Sequence, residues 1–256
     1  MILHSQRWLG DDADAPTVVC LHGITSWSGR FRRLAQERLR SWNVLALDLR
    51  GHGDSGWEPP WDIAAHVSDI IDTVAAPSTW IGHSFGGRLI VELASRNPEL
   101  VQRAVLLDPA IRVRSSDAYA QAEAVRCEQR FASVDDYVDS RLAGNTIFLA
   151  SRDFLKEEVE DDLAPADDGE GYVPRFSRSA AVTGWSEMAT ESSPMPACPT
   201  LVITGERSWM RYEPDPASHQ IGQIDVVTVP GGHSILWDAF DEAADAIVRF
   251  LNTGSK

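Results

Sequence analysis

Gly82-His83-Ser84-Phe85-Gly86 places a serine between two glycines, after the short apolar run Trp80-Ile81 and before an apolar-periodic segment from Arg88 to Ala94. This setting constrains the fold more than any other feature. A serine at the tip of a tight strand-to-helix turn brings the flanking segments together, so Gly82 and Gly86 stand where a side chain would clash. The same turn holds the hydroxyl at a helix N-terminus, where backbone N–H groups and the helix dipole favour negative charge. A strand must precede the serine and a helix must follow it.

The surrounding chain supplies that pattern repeatedly. Thr17 to Leu21, Val44 to Leu47, Thr79 to Ile81 and Val101 to Leu107 read as buried strands, separated by helices over Phe31 to Leu39 and Ile63 to Val74. Strands with little polar alternation, divided by helices, indicate a mostly parallel sheet covered on both faces, an α/β fold. After Asp108-Pro109 the pattern changes: the chain to Pro196 is richer in charge and reads mainly as helices with polar loops. Asp161 to Gly171, acidic and glycine-containing, reads as a solvated loop. Strands return at Thr200 to Thr204 and Ile224 to Val229, and a helix over Asp238 to Leu251 closes the chain. The expected division is a core of residues 1–109 and 197–256 with a helical insertion of residues 110–196.

Length and composition limit the alternatives. The 256 residues suit one large α/β domain, or one core domain with an insertion. A formal charge of −15 argues against nucleic acid or an anionic membrane surface as partner. No basic segment followed by a long apolar run opens the chain, and no apolar stretch reaches the length of a membrane span. Cys20, Cys127 and Cys198 match neither a disulfide framework nor a metal site. A cytoplasmic location without metal or cofactor is the default expectation.

A serine hydroxyl needs a base to become a nucleophile. His233 is the best candidate among seven histidines, because it follows the last strand in the glycine-supported loop Pro230-Gly231-Gly232. His4, His66 and His219 read as surface or packing residues, His83 as pointing away from the serine, and His22 and His52 as backbone-bonding residues. An oxyanion requires donors, expected at the N–H of Phe85 and at the N–H of Ile24 in the loop Leu21-His22-Gly23-Ile24.

Taken together, Leu21-His22-Gly23, Asp48-Leu49-Arg50-Gly51-His52-Gly53-Asp54-Ser55, Gly82-His83-Ser84-Phe85-Gly86-Gly87 and Gly231-Gly232-His233 resemble the α/β-hydrolase superfamily, in its single-chain, cap-bearing, esterase-like branch. The resemblance implies the α/β-hydrolase fold, a nucleophile at Ser84, a base at His233 and a cap formed by residues 110–196. Asp48, His52 and Asp54 carry no chemistry in this reading. Ser84 in place of aspartate argues against alkyl-enzyme reactions, and Ile24 leaves no halide-binding side chain.

The acid that should support His233 departs from the family's common pattern. After the strand at Thr200 to Thr204 the chain reads Gly205-Glu206-Arg207-Ser208, with Ser208 where many relatives carry aspartate. Asp108, ending the strand after the serine helix, is the favoured replacement; Glu206 is the alternative, and a site without an effective acid remains a third reading. Nine tryptophans indicate an aromatic pocket, with Trp27, Trp209 and Trp237 nearest the expected catalytic residues. The expected substrate is a small-to-medium, largely apolar carboxylic ester. Cleavage of a carbon–carbon bond or a lactone by the same residues is the alternative, and a catalytically weak binding protein on a hydrolase scaffold is the third.

Overall fold

Continuous apolar runs become the strands of one sheet because both of its faces are covered. The structure is a computed structural model that describes residues 1–12, 14–127, 129–143, 148–210, 212 and 224–253. Its strands are β1 (Ser5–Trp8), β2 (Thr17–Leu21), β3 (Asn43–Leu47), β4 (Ser78–His83), β5 (Val101–Leu107), β8 (Thr200–Gly205) and β9 (Ile224–Val229), in the spatial order β1-β3-β2-β4-β5-β8-β9. All neighbours pair in parallel except β1, which runs antiparallel to β3 at the edge. Four residues of mixed polarity gave β1 no readable pattern.

Side chains alternate between two cores, one on each face. Val19 and Leu21 of β2 pack with α2 (Ile63–Thr73) and α3 (Phe85–Arg96). Val18 and Cys20 pack on the other face with α1 (Arg32–Glu37) and α9 (Phe240–Asn252). Each fully buried aliphatic side chain contributes about 1.5–3 kcal/mol. Asp62 caps α2 by accepting from the Ala65 N–H at 2.8 Å. Two helices differ from expectation at their ends. The helix expected from Phe31 begins as a 3-10 turn, Ser28–Phe31, and the closing helix divides into α8 (Ile235–Asp238) and α9 at Ala239, whose ψ of 53° is non-helical.

Between β5 and β8 the chain forms α4 (Ser115–Arg126), α5 (Val134–Ala143), α6 (Arg152–Val159) and α7 (Arg178–Met188), with a two-stranded hairpin of β6 (Leu163–Pro165) and β7 (Tyr172–Pro174) between the last two. This hairpin corrects the expectation of a solvated loop over Asp161 to Gly171. Asp162 is buried, accepting both Arg30 Nη2 contacts and the Trp27 indole N–H at 2.9 Å. Asp167, Asp168 and Glu170, at the hairpin tip, are exposed. No helix among the described residues is long and apolar enough to cross a membrane.

Buried imidazoles give this fold a pH limit. His66 lies edge-on to Phe85 at 5.3 Å, and neither of its ring nitrogens has a hydrogen-bond partner among the described residues. Burial pushes it down to about 3, as it does His22 and His83. An unfolded histidine titrates near 6.5, so between about pH 6.5 and 3 the unfolded chain binds more protons. Stability is therefore complete above that window and is lost as pH falls through it. Urea titrations across the window should show His66→Leu reducing the slope by up to one proton, about 1.4 kcal/mol per pH unit; an unchanged slope would contradict the assignment.

Candidate active site

The β4–α3 turn leaves its residues little freedom. Ser84 has φ 53° and ψ −113°, a conformation costly for a residue with a Cβ. A Cβ on Gly82 would lie 2.6 Å from the Gly86 carbonyl carbon, and one on Gly86 would overlap the Leu21 carbonyl oxygen. The absence of both side chains lets the first turn of α3 press against the end of β2. Ser84 is almost fully buried and opens onto a cavity of about 510 Å³.

His233, in the loop after β9, opens onto the same cavity. Its Nδ1 lies 2.6 Å from Oδ2 of Asp108, which follows β5. A carboxylate accepts, so Nδ1 carries the hydrogen and Nε2 keeps its lone pair. Asp108 is 1% exposed and has φ 42°, a left-handed conformation that aspartate tolerates better than most residues. Its N–H donates to the Ile203 carbonyl at 2.7 Å, which ties the residue to the end of β8. Glu206 does not enter this arrangement. It is exposed, with its backbone N–H bonded to the Val229 carbonyl.

Ser208 explains how the site accommodates its departure from the common pattern. Its hydroxyl donates to Oδ2 of Asp108, the oxygen that also accepts from His233, and itself accepts from the Met210 N–H at 3.1 Å. The residue at the vacated acid position therefore orients the carboxylate that approaches from the neighbouring strand.

Two backbone N–H groups beside Ser84 have no acceptor bonded to them among the described residues, those of Phe85 and Ile24. Their directions are fixed through the carbonyls of the same peptide planes, because a trans peptide sets N–H opposite C=O. The Ser84 carbonyl accepts from the Arg88 and Ala110 N–H groups, both at 3.1 Å. The Gly23 carbonyl accepts from His22 Nδ1 at 2.7 Å and from the Ser26 N–H at 3.1 Å. The Ile24 side chain fills the space over Gly184 of α7.

The other histidines divide clearly. His22 also accepts from the Leu49 N–H, and His52 bonds the Ile24 and Arg50 carbonyls, so both hold backbone. His83 differs from its expected orientation. It lines the cavity, its ring 4.8 Å from that of His233, and its Nε2 donates to the His233 carbonyl at 2.9 Å. Burial, with the His233 charge adding to it, pushes His83 down to about 3. His219 lies outside the described residues.

The cavity walls correct the aromatic assignment in part. Trp209 and Trp237 line the cavity, and Trp209 lies 5.7 Å from the His233 ring. Trp27 does not line it, since its indole is turned to Asp162. Trp185 of α7 takes a wall position instead, 6.1 Å from Trp209. A tryptophan within a helical stretch gave no signal of facing the serine. Ile24, Val125 and Phe176 add apolar surface, while Arg30, Tyr137 and Arg141 add polar groups.

His4, Asp48 and Asp54 offer possible metal-ligand atoms within 4.8 Å of one another. Asp48 already accepts from His4, the Ser28 N–H and the Asp54 N–H, and Asp54 pairs with Arg175 at 2.5 Å. Those bonds use the oxygens a cation would need.

A sequence profile described as the Alpha/beta hydrolase family matches residues 18–248. Lipase LipV of Mycobacterium tuberculosis is 34% identical over 195 residues, covering 74% of this chain and 72% of the lipase. The 2-(acetamidomethylene)succinate hydrolase of Mesorhizobium japonicum is 27% identical over 266 residues, covering 94% of this chain and 90% of that protein. Esterase YbfF of Escherichia coli is 29% identical over 248 residues, covering 92% of each. The crystal structure of E-2-(acetamidomethylene)succinate hydrolase has a TM-score of 0.80 at 23% identity, covering 98% of this chain and 95% of that one, a likeness of fold.

The contact at Gly86 is directly testable. Gly86→Ala should lower stability by about 1–3 kcal/mol, as overpacking does elsewhere. Urea unfolding should show a lower midpoint with an unchanged slope, and an unshifted midpoint would mean that α3 does not press on β2.

Proposed function

The chain belongs to the alpha/beta hydrolase family and is a hydrolase, and on that premise we propose that it cleaves a small-to-medium carboxylic ester through an acyl-enzyme on Ser84. The observation that carries this reading is the 2.6 Å bond between His233 Nδ1 and Asp108 Oδ2, on a histidine that shares its cavity with Ser84. The names of the lipase and esterase relatives agree with it.

In the proposed reaction, His233 Nε2 removes the proton from Ser84 Oγ as the oxygen attacks the ester carbonyl. The Phe85 and Ile24 N–H groups donate hydrogen bonds to the charge that develops on the carbonyl oxygen; a donor of this kind is worth about 10²–10³ in rate. Asp108 stabilises the imidazolium and holds its ring orientation. His233 then protonates the departing alkoxide, completing the acyl-enzyme. A water molecule, deprotonated by the same nitrogen, attacks the acyl carbon, and return of the proton to Ser84 frees the acid. The neutral state of His83 leaves a single proton carrier beside the serine.

Substrate selection falls to the cavity walls. Residues 110–196 act as a cap on a core of residues 1–109 and 197–256, a reading supported by Val125, Tyr137 and Trp185 lining the cavity together with Ser84 and His233. Trp185, Trp209 and Trp237 provide the aromatic surface for the acyl or alcohol chain, and the cavity volume of about 510 Å³ suits a ligand of moderate size.

A fluorophosphonate probe should label the protein at Ser84, with labelling lost in Ser84→Ala and His233→Ala; an unlabelled wild-type protein would end the serine-hydrolase reading. Ester hydrolysis assays should separate the two carboxylates. Asp108→Asn should lower kcat by about 10³–10⁴-fold, whereas Glu206→Gln should leave it within about twofold, as expected for an exposed residue. The opposite ranking would transfer the acid's role to Glu206.

A further inference from the structure

Two arginines stand in the cavity wall, and they are not in the same state. Arg30 comes from the 3-10 turn before α1 and has a side chain 10% exposed. Its Nη2 is bonded to both oxygens of Asp162, its Nε donates to Ser26 Oγ at 3.2 Å, and its guanidinium carbon lies 3.6 Å over the Trp237 ring. Its Nη1 is buried without a partner. Arg141, on α5, faces the same indole at 5.8 Å, with Phe148 at 5.5 Å.

Arg141 has no carboxylate within ion-pair distance among the described residues. Its one hydrogen bond there runs from Nη1 to the Tyr137 hydroxyl at 3.3 Å, and its buried Nε has no partner. Tyr137 does not neutralise it, because burial raises that phenol's pKa. Asp162 is engaged by Arg30 and by the Trp27 indole. Glu158 accepts from the Trp237 indole at 3.1 Å, and it is half-buried and does not line the cavity. An arginine cannot shed its charge as a buried lysine can, and against burial the nearby Asp162 charge favours the charged form of Arg141, whose pKa stands above its ordinary value. No carboxylate among the described residues contacts it, however, and its buried Nε remains open to one. The chain's net charge of −15 makes a cationic wall patch at this cavity the more specific.

We infer that the Arg141 guanidinium, with the unpartnered Nη1 of Arg30 in the same cavity wall, receives a carboxylate on the substrate remote from the scissile ester. This rests on the serine-hydrolase reading and narrows it: the preferred substrate is an ester bearing one free carboxylate, with an apolar chain between the two groups against Trp185, Trp209 and Trp237. Planar guanidinium matches carboxylate geometry, and a charge-assisted bond of this kind in a dry site discriminates strongly against a neutral isostere.

The test uses matched substrates on the full-length protein. One is the monomethyl ester of a linear dicarboxylic acid, the second a methyl ester of equal chain length ending in a methyl group. A third carries its carboxylate on the alcohol portion, so that the side facing Arg141 is identified. Wild-type kcat/KM should favour one anionic substrate over its neutral counterpart by at least about tenfold, as a charge-assisted hydrogen bond commonly allows. In Arg141→Met that ratio should collapse towards one, chiefly through KM, and Arg141→Lys should restore part of it. Equal losses on charged and neutral substrates would indicate a merely structural arginine and overturn the inference, as would a wild-type preference for the neutral ester. Fluorophosphonate labelling of every variant separates the two failures. Labelled protein without charge preference removes only the carboxylate site, and unlabelled wild-type protein removes it together with the reading on which it rests.

Discussion

Where α3 meets the end of β2, a glycine stands in place of a side chain, and the candidate site depends on that closeness. With no Cβ at Gly86, the first turn of α3 packs directly on the Leu21 carbonyl. This contact brings two backbone segments from separate parts of the sequence, Ser84-Phe85 and Gly23-Ile24, to one point. Each segment is then locked by bonds to its own carbonyls, from Arg88 and Ala110 on one side and from His22 and Ser26 on the other. Preorganised donors of this kind need no rearrangement when charge develops nearby, which is the main physical source of their effect.

Much of this was legible because it depends on local chemistry. The parallel strands β2, β3, β4, β5 and β8 appear as apolar runs, since burial on both faces removes polar alternation, whereas the edge strand β9 is apolar but largely exposed. Ser84 and His233 announce themselves through flanking glycines and chain position. Asp108 was harder to read. Asp108 and Glu206 both follow strands, and only the three-dimensional register of β5 against β8 separates a carboxylate aimed at His233 from one turned to solvent. Trp27 illustrates the opposite error. It lies close in sequence to the oxyanion loop, yet the buried carboxylate of Asp162, 135 residues away, turns its indole aside. Trp185, Arg30 and Arg141 carry no local signal, because a helix face acquires a target only when its packing partner is known.

The Arg30–Asp162 pair joins the two halves of the molecule at the cavity. One partner arises from the turn before α1 and the other from the start of the hairpin between α6 and α7. Removing one member of such a pair would leave the other as an uncompensated buried charge. Trp237 of α8 lies under the same guanidinium, so three separate stretches of chain share this contact. The wall of the cavity is therefore cross-braced at Arg30, and Arg141 enters the same wall from α5, held by Tyr137.

Ser208 has a consequence for how this protein can change over time. With the carboxylate supplied from the end of β5, the loop after β8 contributes to the site the Ser208 hydroxyl, donated to Asp108, and the Trp209 ring in the cavity wall. A new side chain at position 209 would reshape the cavity wall while the Asp108–His233 bond is left in place. The corner after β5 has no comparable licence, because Asp108 is wedged between the Ile203 carbonyl and the His233 ring. Variation should therefore accumulate on one side of the histidine and be purged from the other, dividing a single site into a conserved half and an experimental one.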